Sequence, residues 1–93
     1  MNCQAFEFTG HAIEQMFARN ISIDEVKTVI QKGEQIASYP NDQPYPSCLI
    51  LSYINDRPIH VVVATNSKTD SCIVVTAYEP SGEIWKEDFR TRK

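Results

Sequence analysis

Three β-prone runs separated by short polar breaks fill the second half of the chain: CLILSYI (residues 48 to 54), IHVVVAT (59 to 65) and CIVVTAY (72 to 78). Asn55-Asp56 between the first two runs makes a tight turn, and Asn66 to Ser71 between the last two makes a polar loop. Breaks this short leave no room for a crossover helix, so the runs read as an antiparallel meander. The apolar face of such a sheet must be covered, and the first half of the chain supplies the cover.

Two amphipathic helices precede the meander. Thr9 is a candidate N-cap for a helix from Gly10 to about Arg19, with Ile13, Met16 and Phe17 as its buried stripe at spacing i, i+3, i+4. Asn20 suits the left-handed residue that ends it. Ser22 and Glu25 form the S-x-x-E capping box of a second helix. Its apolar residues Ile23, Val26, Val29 and Ile30 repeat at helical spacing, and Gly33 stops it. EQIASY (34 to 39) reads as a further strand and CQAFEF (3 to 8) as a short one. PNDQPYP is a loop, because proline fixes φ and removes a donor. Glu79-Pro80-Ser81-Gly82 breaks the last strand, Ile84, Trp85 and Phe89 suggest a short closing helix, and RTRK frays. The expected fold is α+β. An N-terminal αα-hairpin packs on a three- to four-stranded antiparallel sheet, with a short C-terminal helix, in one domain over residues 1 to 93.

Composition removes several classes of function. No stretch approaches the roughly 20 apolar residues of a spanning helix, and MNCQAFEFTG lacks the basic and apolar regions of a secretory signal. Cys3, Cys48 and Cys72 are an odd number without C-x-x-C spacing. That argues against a disulfide framework or zinc module and for a reducing cytoplasm. Cys48 and Cys72 alternate with aliphatic residues, as core thiols do. Net charge is −3. A protein that binds phosphate backbones carries a basic face, and the only basic cluster is Lys86, Arg90, Arg92 and Lys93.

Several stretches together resemble one family. They are H-A-x-E-Q-M-x-x-R-x-I-S from His11, then V-I-x-x-G-E, Y-P-x-D-x-P-Y-P-S, R-P-x-H-V-V-V-A and T-A-Y-E-P. The pattern resembles proteins grouped as domain of unknown function 4258 and runs from about Thr9 to Phe89. Asn20 stands where such proteins often have glycine, and both residues can end a helix. The resemblance implies a small fold similar to the RelE, ParE and BrnT-like toxins of type II toxin–antitoxin systems. It implies a small partner protein, a zinc-finger antitoxin of the MqsA type, and a metal-independent cleavage of mRNA. Fold-level analogy does not fix function.

Metal-free RNA cleavage needs a base for the 2′-OH, donors for the phosphate and an acid for the leaving oxygen. His11 and His60 are the acid–base candidates. Arg19 is the phosphate donor, with Arg90 and Arg92 as further substrate contacts. Tyr78, at the end of the last strand, is a donor or base-stacker. Each has a plainer reading. His11 and Arg19 can belong to the solvated side of a helix. His60, opposite Leu51 if Asn55-Asp56 is a two-residue turn, can be a satisfied structural histidine. Tyr78 can pack beneath Trp85, and Arg90 and Arg92 can belong to a frayed tail. Tyr39 and Tyr45 in the proline-rich loop offer a binding edge or a rigid connection. A zinc set of His11, His60 and a cysteine has suitable ligand types but no supporting spacing, so no cofactor is implied. Two functions remain: a toxin-type endoribonuclease, or a non-catalytic binding module acting through a small partner. Convergence of His11, Arg19, His60 and Tyr78 on one exposed cleft favours the first. A His60 sealed in the core favours the second.

Overall fold

Asn55 and Asp56 both take a positive φ, 51° and 66°, in the computed structural model, which describes residues 1–93. Two left-handed residues in succession make the two-residue turn whose twist matches the strands it joins. Those strands are β3 (Ser47–Ile54) and β4 (Arg57–Asn66), and they pair antiparallel with Leu51 opposite His60. The remaining elements are β1 (Ala5–Phe8), α1 (Gly10–Ala18), α2 (Ile23–Lys32), β2 (Glu34–Tyr39) and β5 (Ser71–Tyr78).

All five strands join one sheet in the order β1-β5-β4-β3-β2. Strands β2 to β5 form the antiparallel meander, and β1 adds to the outer edge of β5 in parallel, from Ala5 opposite Ser71 to Phe8 opposite Val74. The sheet is therefore five-stranded and mixed, which corrects the expected three- to four-stranded antiparallel sheet. The expected C-terminal helix is also absent. Residues 79–93 form turns with one isolated bridge, Trp85 to Arg92. Pro80 and Gly82 oppose a helix there. The Asp88 carboxylate accepts from the Arg90 and Thr91 backbone N–H groups, a local bond that competes with helical pairing.

The local signals at the helix ends work as the sequence suggests. The Thr9 hydroxyl accepts from the Ala12 N–H at 3.0 Å. Ser22 and Glu25 close both arms of the capping box, at 3.0 and 2.8 Å. Asn20, at φ 57°, follows the end of α1. From the start of β4, Arg57 reaches back to the same end. Its guanidinium donates to the Arg19 and Asn20 carbonyls at 2.7 and 3.0 Å and to Glu79 at 2.6 Å. Two carbonyls left unpaired by the helix thus receive a cation at the negative end of the dipole.

Both helices lie on one face of the sheet, α1 against β5 and α2 against β3 and β4. The core between them holds Ala12 and Met16 of α1 and Val26, Val29 and Ile30 of α2. They pack on Cys48, Ile50, Ile59, Val61, Val63, Val74 and Ala77 of the sheet. The stripe expected on α1 is corrected: Met16 is buried, but Ile13 and Phe17 face outward. Ala12 and Met16, four residues apart, make the contact with the sheet, so Ile13 and Phe17 fall one position further round the helix.

Cysteine usage also differs from expectation. Cys3 is bonded to Cys72, with Cα atoms 5.6 Å apart, so β1 is stapled to β5. Only Cys48 remains a buried thiol, and burial pushes its pKa up. An odd count does not exclude one bridge, so the argument for a reducing compartment lapses. No helix is long and apolar enough to cross a membrane.

Gly33 joins α2 to β2 without needing unusual torsion, since its φ is −77°. Its constraint is space. A Cβ here would lie 2.5 Å from Ile50 Cγ2, 2.8 Å from the Leu51 carbonyl oxygen and closer still to that of Val29. Backbone atoms cannot yield as a flexible side chain can. Gly33→Ala is expected to cost about 1–3 kcal/mol, in the range of overpacked cores. Urea denaturation checks this, and an unchanged midpoint would show that the junction relaxes freely.

Candidate functional site

Strand alternation would place Cys72, Val74, Thr76 and Tyr78 on one side of β5. The register shows otherwise. Val74 pairs with Val63 and Thr76 with Val62, leaving Val75 as an extra residue in a β-bulge. Beyond the bulge the alternation is reversed. Ala77 faces the helices, and Tyr78 turns to the opposite face, directly beside His60. A bulge re-aims side chains in this way.

His60 is completely buried, at 0% exposure. Its cover is the strap formed by residues 80–93, which crosses this face of the sheet. The Trp85 ring stands edge-on to the imidazole with centroids 4.6 Å apart, and the Tyr78 ring does so at 5.3 Å. His60 Nε2 lies 2.7 Å from the Phe89 carbonyl oxygen, and Nδ1 lies 3.2 Å from the Tyr78 hydroxyl. A carbonyl can only accept, so Nε2 carries the proton. Neutral imidazole then accepts at Nδ1, and the Tyr78 O–H donates to it. Burial pushes the His60 pKa down, against the bond to Phe89, which raises it. Burial and the Tyr39 phenol push the Tyr78 pKa up, while Arg92 and Arg19 act in the other direction. Both groups are held neutral, with their hydrogen bonds satisfied.

The strap is largely self-contained. Every backbone–backbone hydrogen bond made by residues 80–93 goes to another residue of that segment. Besides the His60–Phe89 bond, its polar tie to the sheet is an exposed ion pair from Arg90 to Glu34 on β2, at 2.9 Å. Arg92 lies over the Trp85 ring, 5.5 Å from its centroid. Phe89 has φ 55°, an uncommon torsion for so large a residue, and it is this residue whose carbonyl meets His60.

The residues singled out from sequence do not form one open site. His60 and Tyr78 come together, but beneath the strap. His11 is exposed on α1, on the other face of the sheet. Arg19 donates to the Ala77 carbonyl at 3.1 Å, and Arg90 and Arg92 are engaged within the strap and its ion pair. Tyr45, in the proline-rich loop, accepts from Asn66 Nδ2 at 3.2 Å, and Asp42 accepts from Ser47, which makes that loop a fixed connection. No group of three metal-ligating side chains assembles, so His11, His60 and a cysteine do not share a site. Sequence reasoning missed Arg57 as the tie at the end of α1, and the Phe89 carbonyl, which as a backbone group carries no residue-type signal.

The neutral His60 gives the strap a pH dependence. Its pKa in the closed structure lies below the ordinary 6.5. Above that value neither the open nor the closed form binds a proton at His60, and closure is unaffected. As pH falls through it, the open form gains a proton that the closed form refuses, and closure weakens. Asp88, held below its usual carboxylate range mainly by the Arg90 N–H, loses its contribution only in a more acidic window. Trp85 fluorescence and amide exchange of residues 80–93 are expected to report loosening as pH drops from about 7 to 5. His60→Asn should abolish that step and leave the lower one. A step that persists in His60→Asn would assign the loosening elsewhere.

Comparison with known proteins adds one family and no closer relative. No curated protein and no solved structure matches the chain. The model of a domain of unknown function, DUF4258, matches residues 8–79, from the end of β1 through β5 and short of the strap. The chain, with the sheet that carries His60 and Tyr78, therefore belongs to the DUF4258 family.

Proposed function

We propose that this protein is a non-catalytic binding module that acts through a small partner protein. One observation carries the reading: His60 is fully buried, and both of its ring nitrogens are occupied within the chain. A general acid or base must reach the proton it transfers. His60 in this setting is a fastening for the strap. His11, the other histidine, has neither Tyr78 nor an arginine side chain as a hydrogen-bond partner.

Charge supports the same reading. Net charge is −3. Every arginine is engaged with its own chain: Arg19 with Ala77, Arg57 with Glu79 and the end of α1, Arg90 with Glu34, Arg92 with Trp85. An RNA backbone would find each guanidinium already engaged, with only the scattered lysines as point charges. The family resemblance supplies the kind of partner, a small antitoxin-type protein such as an MqsA-like zinc-finger protein. A cytoplasmic site of action belongs to the same proposal.

The test is expression of the chain without a partner in a bacterial host, followed by growth and RNA integrity. Unchanged growth with intact RNA is expected. RNA cleavage that His60→Ala abolishes would overturn the proposal in favour of a toxin-type endoribonuclease.

A further inference from the structure

The two helices carry more apolar side chains than the core uses. Ile13 is 40% exposed, Ile23 45% and Phe17 89%. These three surplus residues gather at the junction of α1 and α2, around the buried Met16 and Ile21. Two clefts share Phe17 there. One, of about 210 Å³, is lined by Ile13, Met16, Ile21 and Ile23. The other, of about 410 Å³, continues past Asn20 to Glu25 and Arg57. A nearly bare phenylalanine beside apolar clefts is the kind of anchor that protein partners bury.

Charge selects the occupant. Glu14, one turn before Phe17, and Asp24, next to Ile23, are both exposed, and neither takes part in an ion pair. Nearby cations are committed elsewhere. Arg19 bonds to Ala77, Arg57 to Glu79 and the end of α1, and the Lys27 ammonium lies over the Phe6 ring at 5.3 Å. The patch is thus apolar with an acidic rim. A second copy would bring the same carboxylates to face one another across a two-fold contact, which is unfavourable. Ile13 and Phe17 form an i, i+4 ridge along α1, the shape that packs into the groove of another helix.

We infer that the Ile13–Phe17–Ile23 patch is a docking surface for an amphipathic helix of a partner protein, one with aliphatic residues on one side and lysine or arginine beside them. This rests on the binding-module reading and locates its contact surface. Phe17 inserts between the partner's aliphatic side chains, and its basic residues meet Glu14 and Asp24.

The probe is a synthetic amphipathic leucine/lysine helix of about 18 residues, five turns long, with a leucine/glutamate counterpart as control. Amide shifts of the isotope-labelled full chain report where each binds. Shifts are expected in α1 and the first turn of α2, with the leucine/glutamate peptide weaker by about tenfold or more. Phe17→Ala should weaken the leucine/lysine peptide about tenfold or more while leaving the fold intact, as befits an anchor. Glu14→Lys with Asp24→Lys should reverse the preference between peptides. No shifts, shifts elsewhere, or binding indifferent to Phe17→Ala would overturn the inference. So would a concentration-dependent dimer in sedimentation that Phe17→Asp abolishes, since the occupant would then be a second copy. These outcomes are separate from RNA cleavage, which bears only on whether the protein is catalytic.

Discussion

Val75 has no partner on β4, and the arrangement around His60 follows from that single unpaired residue. Without it, the alternation of β5 would turn Tyr78 toward the helices, into the place that Ala77 takes beside Met16 and Val61. With it, Ala77 provides the small contact under α1, and Tyr78 meets His60 on the far side. The bulge also sets what the strap must cover. An imidazole and a phenol beside Leu49 and Leu51 form a mixed surface. Trp85 fills it with an aromatic edge while the Phe89 carbonyl takes the remaining N–H. Apolar burial and polar satisfaction are met by one segment.

That segment is held differently from the rest of the fold. Helices and strands are tied by repeated backbone bonds, whereas the strap keeps its backbone bonds to itself and meets the sheet through side chains and one carbonyl. Its exposed ion pair, Arg90 with Glu34, belongs to a class that contributes on the order of 1 kcal/mol or less. Most of its hold must come from burying Trp85 and from the His60 bond. Segments with few backbone bonds to the rest of a fold are the ones that open locally, below the free energy of global unfolding. The family match ends at residue 79, so its span includes His60 and Tyr78 and leaves the strap outside.

Local chemistry made much of this readable from sequence. The caps at Thr9 and Ser22 and the left-handed Asn20 involve residues at most four apart, and each follows from side-chain type. The Asn55-Asp56 turn set Leu51 opposite His60 before any coordinates were needed. What sequence could not supply depends on distant partners. A bulge at Val75 is visible only in the pairing of β5 with β4. The Cys3–Cys72 bond depends on β1 lying parallel to β5, and an odd cysteine count hides it. The candidate site was half legible. His60 and Tyr78 stand out by residue type and strand position, but their burial depends on a segment whose sequence suggests a short helix. Nothing in the sequence neighbourhood of Arg19 reveals its bond to the Ala77 carbonyl.

The α1 stripe shows the same limit from another direction. Helical periodicity points to Ile13, Met16 and Phe17 as the buried stripe, but only Met16 is buried. The sheet meets α1 through Ala12 and Met16, which leaves Ile13 and Phe17 one position further round the helix. One face of the sheet is therefore closed by helices, and part of the other by the strap. Next to the strap, the loop before Ser47 encloses a cleft of about 320 Å³ against Ala64, Ile73 and Val75. The sheet leaves Tyr39, Tyr53 and Val75 partly exposed, but none as far as Phe17 at 89%. The surplus lies on the outer side of the helical pair, where Phe17 gains nothing from its own fold. An exposed phenylalanine that contributes so little to folding makes sense when its burial is completed by another molecule.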